Sequence, residues 1–254
     1  MKSATGPVRD RTTTGEQLGM RLTALALLLT AALAVNWPAD AFAQRVVPPR
    51  PAGQPDLSSI NWIAGGGQTV WNNWAFTEAG SKRFDAYDFK KDDPAFGCIG
   101  ASWTRIWLNP NVVVQITQGG DFVRLQYEWM DIDRRIPLVD PTVANPKRTN
   151  IPGHPALGYS AAWYDGDTLV IDTVDVAPGY ISTMVELAGM PQSRRMHTVE
   201  RLRREGDVLV IETTHMDPAN YRTPVISTIR YRSTDWELMD YGCTPEAAAT
   251  VSPR

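Results

Sequence analysis

Three histidines, His154, His197 and His215, are the only imidazoles in the 254-residue chain, and two stand where proton transfer could be organised. His154 lies between a glycine and a proline, so a loop holds it, and loops carry function disproportionately. His197 follows Arg194 and Arg195, whose charge favours the neutral imidazole that a general base needs. His215 reads as a surface residue. Asp172 and Glu212 occupy equivalent points of two similar runs, on the face shared with Val170 and Val210. Facing inward they would be buried carboxylates with perturbed pKa values, suited to acid and base chemistry; facing outward they are solvated. Leu169 and Ile171 make the opposite face as apolar, so both orientations stay open. Tyr159 completes the candidate catalytic set of His154, His197, Tyr159 and Asp172.

Binding groups are easier to find than catalytic ones. Eight tryptophans follow residue 43, a heavy aromatic load of the kind that lines pockets for flat organic molecules. Trp103 and Trp163 are the two chosen as ligand-facing. Arg105, Arg135 and Arg195 are candidate clamps for a carboxylate, and Glu128 is a further ligand-binding candidate. The sequence has no nucleophile elbow, phosphate-binding glycine loop or dinucleotide fingerprint, and its two cysteines and three histidines do not form zinc patterns. The expected chemistry therefore uses no cofactor and no metal.

Such groups need a framework, and the chain supplies short β-rich runs broken by compact turns. Val112 to Thr117 meets Phe122 to Trp129 across Gly119-Gly120-Asp121. Ser160 to Tyr164 meets Thr168 to Thr173 across Asp165-Gly166-Asp167, and Thr198 to Arg203 meets Val208 to Thr214 across Glu205-Gly206-Asp207. A fourth pair, Val225 to Tyr231 and Trp236 to Tyr241, turns at Ser233-Thr234-Asp235. The second and third hairpins repeat one another 40 residues apart. About eight antiparallel strands predict a mainly β fold, a lipocalin-like barrel that holds one small ligand, with a β-sandwich as the alternative. One short N-terminal helix precedes them in the segment Phe76 to Asp85, with Thr77 as its cap and Glu78 in the first turn.

The run Gly158 to Thr173, with Trp163, Gly166-Asp167-Thr168-Leu169-Val170-Ile171-Asp172-Thr173 at its centre, resembles a large family of exported bacterial proteins of unknown function with a W-x-G-D-T-L-V-V-D-T signature. Asp93-Pro94 before Cys98, Arg135-Ile136-Pro137, His154-Pro155, Val199-Glu200-Arg201, Asp217-Pro218 and Cys243 follow in the family's order. The resemblance covers about Phe76 to Glu246 and implies export and a β-rich fold, without an agreed activity. Two departures flank His154 and Trp163. The family's D-G-R stretch is replaced by a longer connection from Asp140 to Gly153, and Trp163 stands one residue further from its glycine.

Export is also legible directly. Met20-Arg21, the apolar run from Leu22 to Val35 and Ala41-Phe42-Ala43 have the order of a secretory signal, placing cleavage after Ala43, with translation starting at Met1 or Met20. Residues 44–56 form a proline-rich lead-in, 57–246 a single β domain and 247–254 a tail. The 211 residues after Ala43 carry 21 Lys and Arg against 25 Asp and Glu, a balance that argues against nucleic acid as a partner. After cleavage no membrane partner is expected, and the product is periplasmic or secreted. There Cys98 and Cys243 are expected to join as a structural disulfide. The favoured reading is a cofactor-independent lyase, decarboxylase or isomerase acting on an aromatic or phenolic compound. The alternative is a non-catalytic carrier or sensor of a small hydrophobic ligand.

Overall fold

The structure, a computed structural model, describes residues 53–65, 70–71, 74–109, 112–181 and 189–245. The secretory-signal segment and the tail from residue 247 lie outside the described residues. In chain order come β1 (Asn61–Ala64), β2 (Val70–Trp71), α1 (Glu78–Asp85), α2 (Phe89–Asp92), α3 (Trp103–Trp107), β3 (Val113–Gln118), β4 (Phe122–Tyr127) and β5 (Ile132–Pro137). Then follow β6 (Tyr159–Asp165), β7 (Thr168–Val174), β8 (Gly179–Tyr180), β9 (Pro191–Gln192), β10 (His197–Glu205), β11 (Val208–Met216) and β12 (Val225–Thr234).

Three of the four expected hairpins form. Gly166 and Gly206 adopt positive φ, at 61° and 62°, which lets two-residue turns join β6 to β7 and β10 to β11 with the twist of the flanking strands. The two repeated hairpins are neighbours, since β7 pairs with β10 from Thr198 opposite Thr173 to Arg203 opposite Thr168. The fourth hairpin does not form. Beyond Thr234, residues 235–244 lie outside any strand, and β12 pairs instead with β11 on one side and with β1 and β2 on the other. Both edges of β12 are taken, so Trp236 to Tyr241 has no ladder to join.

The antiparallel order is β5-β4-β3-β1-β12-β11-β10-β7-β6, nine strands with β2 beside β12. The ends of this order meet: Leu138 bridges Ala162 in parallel, Val139 N donates to Ala162 O at 2.8 Å, and Thr149 pairs with Ser160. The sheet is thus a nearly closed barrel, one strand larger than expected. Its inner face carries Leu169, Ile171 and Thr173 of β7 and Leu209, Ile211 and Thr213 of β11, all fully buried. The open question of orientation is thereby answered: Asp172 and Glu212 are on the outer face, because the strands alternate and Leu169 and Ile171 point inward.

Helix α3 packs among the apolar side chains of the barrel interior. Ser102 caps α3 by accepting from Arg105 N, and α3 is buried along its whole length against the inward side chains. Trp107 packs edge-on against Tyr127 at 5.0 Å and Tyr231 at 5.3 Å, while Tyr231 Oη donates to the Trp107 carbonyl. A second apolar cluster, with Met196, Tyr221 and Val225, underlies Trp74 and Phe76. His215 corrects the surface reading: it is 1% exposed, with Nε2 paired to Thr104 Oγ1 and Nδ1 to Thr198 Oγ1. Burial lowers its pKa to about 3, with the Asp217 charge opposing, so the ring stays neutral. Cys98 and Cys243 are joined, as expected.

Candidate functional site

Three gatherings of charged and polar side chains among the described residues bear on the candidate site residues. The first is inside the barrel, where Ile132, Arg134 and Ile136 alternate onto the inner face of β5. Arg134 Nη1 lies 2.7 Å from Glu200 Oε2, with both side chains fully enclosed. Arg134 Nη2 donates to Ser160 Oγ and Thr173 Oγ1, and Trp107 Nε1 donates to Glu200 Oε1 at 2.8 Å. The guanidinium lies 3.3 Å from the Trp103 ring centre, and Trp103 Nε1 donates to the Leu157 carbonyl. Trp103 is therefore committed to covering an internal ion pair. This polar centre occupies the space that the barrel reading would give to a ligand, and its removal from water makes it costly unless fully paired.

The second place is the outer wall of β7 and β10. Asp172 takes one hydrogen bond from Arg148 Nη2 and one from His197 Nε2, and Arg148 Nη1 donates to the Asp172 carbonyl at 2.7 Å. Burial alone would raise the Asp172 pKa, but the bonds from His197 and Arg148 hold it below the ordinary carboxylate value. Tyr159, opposite Val174, stands on the same outer face and is 43% exposed. Three of the four sequence-predicted catalytic groups thus share one face. The arrangement is that of a histidine oriented by a carboxylate, on an open wall rather than in a cavity. Trp163 is on this outer face too, half-buried opposite Val170.

The third place borders a mainly apolar cavity. The described residues line an open-sided cavity of about 430 Å³ beside α2, α3 and the turn at Trp129–Asp131. Asp93 caps the turn Pro94–Gly97 through Ala95 N, which sets Phe96 edge-on to Phe89 at 5.1 Å. From α3 comes Arg105, with Nη1 donating to Asn109 Oδ1 at 2.9 Å and its guanidinium 4.9 Å from the Trp129 ring centre. Burial lowers the Arg105 pKa from its ordinary value while the Asp93 charge opposes the shift. The opposite wall is the tail segment 241–244, tied by the disulfide. Asp131 Oδ1 and Oδ2 accept from Tyr241 N and Gly242 N, and Glu128 Oε1 accepts from Met239 N.

Of the sequence-predicted binding residues, only Arg105 lines this cavity, together with Cys243. Glu128 holds its tail wall in place and, through Oε2, accepts from Val113 N. His154 lies outside the cavity lining, with Nδ1 accepting from Gly100 N at 2.9 Å and burial lowering its pKa. Arg195 is exposed, and its backbone N–H donates to Ser193 Oγ. Sequence reasoning missed Phe89, Asp93, Phe96, Asn109 and Tyr241 as cavity residues. The usable signal was the disulfide, which forces the chain around residue 243 against the segment around residue 98.

No family model matches the chain, and no curated protein is significantly similar to it. Among solved structures, it is similar to two crystal structures of variants of the fluorescent protein UnaG. One likeness has 14% identity over 49% of this chain and 73% of that one, with a TM-score of 0.32. The other has 11% identity over 68% and 94%, with a TM-score of 0.35. At these scores the barrel is defined by its own strand order and closure rather than by these neighbours.

Proposed function

We propose that the protein is a non-catalytic carrier or sensor that holds one small, largely apolar aromatic molecule in the cavity beside α3. The observation that carries this is an aromatic wall of Phe89, Phe96, Trp129 and Tyr241 around a buried arginine, in a space of drug-sized volume. Enzyme chemistry would need an acid or base of the predicted set in the same space, and His154, His197, Tyr159 and Asp172 all lie outside its lining. Export fits this reading, since a disulfide persists in an oxidising compartment, and so does the resemblance of the Gly158 to Thr173 run to an exported family. Among the described residues no helix is long and apolar enough to cross a membrane.

The test is calorimetric titration of the oxidised protein with a panel of phenols, aromatic acids and aryl ketones, with product analysis on every hit. Saturable binding without product is expected, weakened about tenfold or more in Phe96→Ala and unchanged in Trp236→Phe, which alters an exposed ring. Turnover of a bound compound would overturn the carrier reading and direct attention to the Asp172–His197 pair. Binding unaffected by Phe96→Ala would move the ligand elsewhere.

A further inference from the structure

The run Ser233-Thr234-Asp235, a hairpin turn by its sequence, instead ends β12 beside the entry to β1. Asn61 pairs with Thr234, and Trp62 pairs with both Ser233 and Val114, so Gln115, Asn61 and Thr234 form one row across β3, β1 and β12. Trp62 points into the core, which puts this row on the outer face. Together with residues 58–60, Arg232 and Asp235 it lines an open cleft of about 600 Å³ that shares no residue with the cavity beside α3. Apart from Ile60 the lining is polar.

Hydrogen bonds hold these side chains in place. Gln115 Nε2 donates to Asn61 Oδ1 at 3.2 Å, Asn61 Nδ2 donates to the Trp236 carbonyl at 2.9 Å, and Ser59 Oγ accepts from Arg204 Nη1 at 3.1 Å. Gln115 Oε1 is left as an acceptor, and the hydroxyls of Ser59 and Thr234 keep their hydrogens, since Thr234 Oγ1 accepts from Trp236 N. Arg232 and Asp235 are exposed, add one charge of each sign and form no ion pair among the described residues. A cleft with donors and acceptors in similar number and balanced charge matches a ligand whose groups also do both, as hydroxyls do and carboxylates or ammonium groups do not. Trp236, the residue after Asp235, is 55% exposed and has an apolar ring face available to C–H groups.

We propose that this cleft is a second ligand site and takes a neutral saccharide unit, with Gln115 and Asp235 accepting from its hydroxyls, Arg232 and Thr234 donating to them, and the Trp236 ring against one sugar face. The aromatic cavity and this cleft are separate sites, so either can fail without the other.

The experiment is amide nuclear magnetic resonance of the nitrogen-15-labelled, oxidised protein, titrated with glucose, N-acetylglucosamine, maltose and cellobiose, with glycerol as the control polyol. At least one sugar should shift the side-chain amide signals of Gln115 and Asn61 and the indole signal of Trp236, saturating at millimolar concentration and leaving the Trp129 indole in place. Gln115→Ala and Asp235→Ala should each weaken that sugar about five- to tenfold, the loss of one net hydrogen bond or slightly more. The remaining signals of each variant report whether the barrel is intact. Glucose 6-phosphate should bind no more tightly than glucose; tenfold tighter binding would overturn the neutral class in favour of an anion held by Arg232. Maltohexaose beside maltose separates a glycan chain from a free sugar as the source, through tighter or equal binding. No saturable shift with any of the four sugars, the same shifts with glycerol, or affinity unchanged in both folded variants would overturn the proposal.

Discussion

Lowering the pH from 7.5 to 5 should cost the protein stability through one residue, His215. Its ring is enclosed between Thr104 and Thr198, and its folded pKa is about 3 against 6.5 for an ordinary histidine. With the folded value depressed, the unfolded chain takes up a proton that the folded one refuses. The associated stability is complete above pH 6.5 and is lost as pH falls towards 3. At pH 5 the loss from this group alone amounts to about 2 kcal/mol, from the protonation of the unfolded imidazole. The comparison that isolates it is urea unfolding of the natural protein and of His215→Gln at several pH values between 7.5 and 5. Glutamine keeps a donor and an acceptor for the two threonines but does not titrate, so the variant carries an offset independent of pH. His154, whose pKa is also lowered by burial, contributes with the same sign in both proteins and cancels. The stability gap between the two should therefore shrink by about 2 kcal/mol as the pH falls. A gap that stays constant would refute the argument that His215 is held neutral by burial.

Arg134→Met should cost about 3–5 kcal/mol in urea unfolding by leaving Glu200 buried without its partner, and adding Glu200→Leu should recover much of the loss; a single variant within 1 kcal/mol of the natural protein would contradict this. Gly80→Ala should lower stability by about 1–3 kcal/mol although alanine is the better helix former, because a Cβ there would lie 2.0 Å from the Asn220 carbonyl oxygen. A raised melting temperature would show that α1 is free to move away. Replacing both Cys98 and Cys243 by serine opens a 145-residue loop and should cost up to about 5 kcal/mol. Far-ultraviolet circular dichroism should still report a sheet, while cavity ligands bind more weakly because the tail wall is no longer tied.

What could be read from the chain was what neighbours in sequence decide. The Asp-Gly-Asp and Glu-Gly-Asp turns define their hairpins locally, and Thr77 caps its helix through a donor only three residues away. Pairings between distant segments were hidden. The four residues of β1 carry no turn signal, and their partner on β12 lies some 170 residues further along, from Asn61 opposite Thr234. The inner face of β7 was hidden for a different reason: Val170 on the outer face is as buried as Leu169 on the inner one, so hydrophobicity alternates too weakly to choose. Arg134 was discoverable, since it falls between Ile132 and Ile136 at strand spacing, but a charge on an apolar face invites the opposite reading. The cavity was least legible, because Phe89, Arg105, Trp129 and Tyr241 converge only once the barrel and its disulfide exist.

Where β5 and β6 meet, the described main chain contributes the isolated Leu138–Ala162 and Thr149–Ser160 bridges with their few hydrogen bonds, fewer than the ladders that join β10 to β11 or β11 to β12. Arg134 crosses that junction from within, reaching from β5 to Ser160 on β6 and Thr173 on β7. The wall of the molecule is therefore a cuff whose overlap is fastened on the inside. Its easiest excursion is an uncurling there, so amide protons along these two edges should exchange with solvent sooner than those of β10 and β11. Each such opening must also wet the Arg134–Glu200 pair, so the lifetime of the fastening is set by the cost of parting buried charges rather than by the few backbone bonds.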